Sequence, residues 1–150
     1  MPMKAAWLVL VLALGLSGCS KPEPPSRAQR VAMIQKDATS VELVPAEGLP
    51  PYCHVFVVTA TGYVQLHTAT EDQLSLECPA GVPITSRALK MPKGHGNVKV
   101  YVVFSDRQIE SGPLSMQIQE FVSQKKPVTA VDLRAPGNVV VETLEFATPK

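Results

Sequence analysis

Scarce cysteine, nearly balanced charge and the absence of any long apolar run set the first limits on this 150-residue chain. With 14 basic and 13 acidic residues, it exerts no global electrostatic pull on nucleic acid or acidic lipid. Lys125-Lys126 is the only adjacent basic pair, and two lysines read as a solvated helix end. None of the three cysteines stands in a Cys-x-x-Cys, which leaves no zinc knuckle and no locally encoded redox pair. No Gly-x-Ser-x-Gly elbow occurs, and no Ser-x-x-Lys pair lies in suitable surroundings. Lys93-Gly-His-Gly96 has no helix after it to cradle a phosphate, and no acid pair stands out. Heptads and internal repeats are missing too. A chain of this length is one domain that can bury a real core without a metal.

The longest uncharged apolar stretch runs from Ala5 to Leu16, 12 residues. As a helix it would cover about 18 Å of a hydrocarbon layer roughly 30 Å thick, too little for an ordinary membrane span. Lys4 ahead of it and small residues after it give the three-part pattern of a secretory signal peptide. Its end, Leu16-Ser17-Gly18-Cys19, resembles the lipobox of bacterial lipoproteins. That resemblance implies diacylglycerol on the Cys19 thiol, cleavage before Cys19 and a fatty-acylated N-terminus. Two or more acyl chains hold a protein stably on a bilayer. The expectation is therefore a signal peptide over 1–18 and a lipidated Cys19 with a Pro-rich tether over 19–29. A water-soluble domain over 30–150 follows. Ser20, in place of Asp, resembles an outer-membrane sorting signal, so the expected address is the bacterial cell envelope, facing the periplasm or the cell surface. Cleavage would remove Lys4 and leave 13 basic against 13 acidic residues.

Beyond Arg30, short apolar runs alternate with turn residues. Strands are expected at Cys53 to Ala60, Tyr63 to His67, Leu74 to Cys78 and Val98 to Phe104, which are rich in valine and aromatics. Weaker signals mark Val31 to Gln35, Val41 to Val44, Ile84 to Leu89, Val128 to Leu133 and Val139 to Phe146. Thr61-Gly62 suits a hairpin, and Pro136-Gly137 suits a type II turn. One segment breaks the rhythm: Leu114, Ile118, Phe121 and Val122 fall on one helical stripe, which predicts a helix near 114–125. Pro113 fits its first turn, Lys125 and Lys126 its negative end, and Pro127 its stop.

Alternation assigns the faces. Leu74, Leu76 and Cys78 form an apolar side, with Gln73, Ser75 and Glu77 expected in water. The run from Cys53 to Val58 is apolar on both sides, with Cys53, Val55 and Val57 opposite Phe56 and Val58, so its second face needs a cover. The helix stripe is the spare apolar surface. The fold class is mainly β: a small antiparallel β-sandwich, immunoglobulin-like or similar, with one short α-helix. CHVFVVTATGYVQL, AGVPI and LKMPKGHGNVKVYVVFSDRQI, followed by a short helix, resemble uncharacterised β-sandwich domains of bacterial envelope lipoproteins over roughly residues 40–125. Arg107 stands where that pattern has proline, and the cysteine pair is not part of it. The family has no established activity, so the resemblance implies a fold and no site.

Once Cys19 is set aside, Cys53 and Cys78 are an even remainder in an exported chain and are expected to form a disulfide. His54, His67 and His95 lack the spacing of a metal site, and Phe104-Ser105-Asp106-Arg107 reads as a turn closed by its own aspartate and arginine. No catalytic, cofactor-binding or metal residue is therefore expected. The sequence leads to a non-enzymatic binding or structural module, held on the membrane through Cys19, with an envelope protein as partner and no nucleic acid. Its recognition surface would include the loop from Lys90 to Asn97. The alternative is an enzyme, or an enzyme accessory, whose site is assembled from His67, His95 and Asp106.

Overall fold

The structure, a computed structural model, describes residues 28–94 and 96–149. The signal segment, Cys19 and nearly all of the expected tether lie outside the described residues, as does His95.

Two antiparallel sheets and one helix form three layers. In the first sheet β1 (Val31–Gln35), β2 (Ser40–Pro45) and β6 (Leu89–Lys90) lie in the order β1-β2-β6. The second sheet has the order β4-β3-β7-β8, built from β3 (Tyr52–Val58), β4 (Val64–Leu66), β7 (Asn97–Ser105) and β8 (Val139–Ala147). The two-residue β5 (Leu76–Glu77) joins β3 beside β4, with Cys53 opposite Leu76. Helix α1 (Ser111–Ser123) connects β7 to β8 and is the only helix among the described residues.

Both faces of the second sheet are buried along β3 and most of β7, which explains the doubly apolar reading of β3. Cys53, Val55 and Val57 join Val98, Val100, Val102, Phe104, Leu144 and Phe146 in an inner core, against Val31, Val41 and Leu43 of the first sheet. Phe56, Val58, Tyr101 and Val103 face outward onto Leu114 and Ile118 of α1, with Phe121 and Val122 half-buried at the rim. At Gly62, in the β3–β4 turn, a Cβ would stand 3.4 Å from Val122 Cγ1; the helix packs onto this hairpin. At the opposite end Arg30, just before β1, reaches across to β8: its guanidinium meets Glu142 at 2.9 Å, and its carbonyl accepts the Ala46 N–H at 2.7 Å.

The cysteine pair closes the inner core. Cys53 and Cys78 lie at disulfide-bonding distance with their Cα atoms 5.9 Å apart, and both are buried. The Cys78 N–H also donates to Pro51 O at 2.7 Å, so the segment after β5 is fastened to the start of β3 twice.

Several local expectations are corrected. α1 begins at Ser111, three residues ahead of the stripe, because the Ser111 N–H donates to Gln73 O at 2.8 Å and Pro113 still falls in the first turn. Lys125 and Lys126 lie beyond the helix and not in its last turn. Lys125 adopts φ 55°, its N–H donates to Val122 O, and the Lys126 N–H donates to Phe121 O, the paired closure that usually takes glycine. Ser75, expected in water, is fully buried; its N–H donates to Ile109 O, and its hydroxyl accepts the Ile109 N–H. Val128 to Leu133 is not a strand. Val128 and Leu133 anchor a loop in the outer core, and the chain between them turns back on Thr129. Ile84 to Leu89 shrinks to β6, with Ile84 plugging the inner core and donating a single N–H bond to Leu43 O.

Candidate functional site

The outer face of the second sheet changes character along its strands. Along β7 the outward side chains run Val103, Tyr101, Lys99; along β8 they run Val139, Val141, Thr143, Glu145. The first members pack into or against the outer core, and the last are polar. The cover stops where the apolar residues stop, because α1 ends at Ser123 and its capping turn leads the chain away. What remains is an open groove of about 900 Å³. Lys99, Tyr101, Thr143 and Glu145 form its floor, in cross-strand pairs Lys99 with Glu145 and Tyr101 with Thr143. Gln119 and Val122 of α1, the Thr59 to Gly62 turn they pack against, and Lys125 and Lys126 line its sides. Asn97, at the end of the loop singled out from the sequence, closes one end.

Three lysines outnumber the one glutamate here. Among the described residues none of the three lysines has a carboxylate within ion-pair distance. Burial, and secondarily the nearby Glu145 charge, push the Tyr101 hydroxyl up from its ordinary value, so it stays a neutral donor. The groove therefore offers ammonium groups, a carboxylate, a phenol and a threonine hydroxyl beside apolar Val58 and Val122. No family model, curated protein or solved structure matches this chain. The chemistry of the groove rests on these side chains alone.

Of the residues proposed for a dispersed site, His67 and Asp106 lie apart and His95 is outside the described residues, while His54, not one of them, has a structural place. His54 is fully buried, with Nδ1 3.1 Å from Thr68 O and Nε2 2.9 Å from Ile109 O, and so ties two loops to β3. A neutral ring can donate to only one of these carbonyls. Asp106 does close a turn, but across strands: its carboxylate accepts the Asn138 N–H at 3.1 Å and the Asn138 amide at 3.2 Å. Gly137 beside it is at φ 78°, and a Cβ there would collide with that carboxylate, so Pro136-Gly137 forms its turn against Asp106. His67 lies just past β4, with its N–H on Val55 O at 2.8 Å. Val55 pairs with Val102, four residues before Asp106 on β7, so two strand spacings and four residue rises separate His67 from Asp106 by roughly 16 Å at the backbone. Neither lines the groove. Among the described residues no three His, Cys, Asp or Glu side chains converge as metal ligands.

Sequence reasoning missed Lys99, Tyr101, Thr143 and Glu145. The signal was present in the apolar-to-polar progression along β7 and β8.

His67 yields a pH-dependent result. Burial lowers its imidazole below the ordinary 6.5, and among the described residues Nε2 has no hydrogen-bond partner. The unfolded chain therefore binds this proton at higher pH than the folded chain does. Its contribution to stability is complete above 6.5 and is lost as pH falls through the lower folded value. Urea midpoints taken from about pH 8 to about pH 5 should fall for the wild type. In His67→Gln that limb should be shallower; an unchanged slope would show that other groups carry it.

Proposed function

We propose that this chain is a lipid-anchored binding module of the bacterial cell envelope, held on the membrane through acylated Cys19 and recognising an envelope partner without chemistry of its own. The observation that supports recognition is the open groove: a largely exposed polar floor on a sheet whose central strands are otherwise buried on both faces. A sheet buried in this way, and fastened by a disulfide, presents its floor side chains with little loss of freedom on binding. The separation of His67 from Asp106 supports binding over the enzyme alternative. The lipobox supports the anchor, and the balanced charge argues against nucleic acid as the partner.

One experiment in cells tests both halves. With labelled fatty acid supplied, the wild type should incorporate label and fractionate with membranes, and Cys19→Ala should do neither. A photo-crosslinking residue at Thr61 or Gln119, on the groove walls, should give a discrete adduct that disappears when Lys99→Trp fills the groove, whereas the same residue at Lys36 should give none. Label that survives Cys19→Ala would remove the anchor from the reading. Adducts equal at all three positions would remove the groove.

A further inference from the structure

Among the described residues the two sheets leave five edge strands, and they differ in length. β4 has three residues, β5 and β6 two each and β1 five, while β8 presents nine in an unbroken register against β7. Short edges resist pairing with other chains; a long straight one invites it. Edge strands are usually protected by proline, lysine or a bulge, and VVVETLEFA has none of these. Its protection is limited to the outward charge of Glu145, to Gln29 beside the strand and to inward-facing Glu142, which Arg30 neutralises at 2.9 Å.

Hydrogen bonds at the two ends of β8 show which backbone groups are unused. The Thr148 N–H donates to Gly96 O, and Asn138 O accepts the Asp106 N–H. Residues 138 to 148 with even numbers therefore turn their amides and carbonyls toward β7. Val139, Val141, Thr143, Glu145 and Ala147 turn theirs away from the sheet. Among the described residues nothing accepts from those N–H groups or donates to those carbonyls.

We propose that β8 is a homotypic docking edge, on which two copies of this chain pair their β8 strands antiparallel about a two-fold axis at Thr143. That register places Thr143 opposite Thr143, Val141 opposite Glu145, Val139 opposite Ala147 and Glu142 opposite Leu144. It is the register that pairs all nine residues, and no two like charges face each other in it. Each outward residue meets an outward residue, which gives roughly ten backbone hydrogen bonds across the axis, and opposed threonines are a favourable pair. The interface is isologous and closes at two copies. The chain's own Pro-rich segment fails as occupant: Pro22, Pro24 and Pro25 put a residue without N–H into each alternate set.

Site-specific oxidation of the full-length chain in cells tests this register. Directly opposed residues of such a pair have Cα atoms about 5.5 Å apart, within disulfide reach. Thr143→Cys should give a covalent dimer on non-reducing gels, and Glu145→Cys alone should not, since its opposite is Val141. Val141→Cys combined with Glu145→Cys should restore the dimer. The wild type should scatter light as a non-covalent dimer, and Thr143→Lys, which sets two ammonium groups opposite each other, should make it monomeric with the melting temperature retained. Thr143→Pro should do the same, because the deleted N–H points away from β7. A Thr143→Cys chain that remains monomeric on oxidation would overturn the proposal. So would Glu145→Cys crosslinking as well as Thr143→Cys, or Thr143→Lys remaining dimeric.

Discussion

Truncating Ile118 to alanine is expected to cost about 2–5 kcal/mol, the range for deleting a buried aliphatic side chain without full collapse of its site. Ile118 is completely buried and lies at the centre of the outer core with Phe56, Tyr101, Val103 and Leu114. Phe56, Tyr101 and Val103 sit on two strands that the inner core already fixes, so they have little freedom to move in and fill the space. Phe121→Ala should cost less despite its larger side chain, since Phe121 is only half-buried at the rim. Met116→Ala should be close to neutral, because Met116 is 74% exposed. Urea unfolding of the three variants measures this order. Equal losses would mean that α1 does not rest on Phe56 and Val58 as described.

The second large effect is expected at Cys53 and Cys78. Replacing both with alanine should lower stability by about 3.5 kcal/mol from the released loop alone, and typical losses for native disulfides span about 2–5 kcal/mol. Both cysteines are buried in the inner core, so the substitution also leaves unfilled space. Peptide mapping without reductant, after thiol blocking, should recover the two half-cystines linked. Denaturation with and without reductant should then give the wild type a midpoint that falls toward that of the double variant. Two alkylated cysteines in exported protein would refute the bond.

Much of this fold could be read from local pattern because burial on both faces leaves an unmistakable mark. Cys53 to Val58 has no wet side, and that alone called for a cover; the Leu114, Ile118, Phe121 and Val122 stripe was the available one. The expected strands that failed share a different cause. Val128, Leu133 and Ile84 are apolar because they anchor loops, and a single apolar anchor looks the same in sequence as one residue of a strand. Ser75 misled for the converse reason: it is a small polar residue whose burial is satisfied by Ile109, a partner far along the chain, which alternation cannot detect. The groove stayed hidden because it depends on where α1 stops relative to β7 and β8. Lys99 and Glu145 look like ordinary surface residues until the end of the helix is placed over Tyr101.

The contacts of Arg30 also decide how the domain bears load. Any tension applied to the chain ahead of this residue would, without its side chain, peel β1 from β2 one hydrogen bond at a time, the geometry in which a hairpin is weakest. The guanidinium's grip on Glu142 sends part of that pull into β8 instead, where it acts along a nine-residue ladder and must shear many bonds together. Arg30 therefore works as a strain relief at the entry to β1.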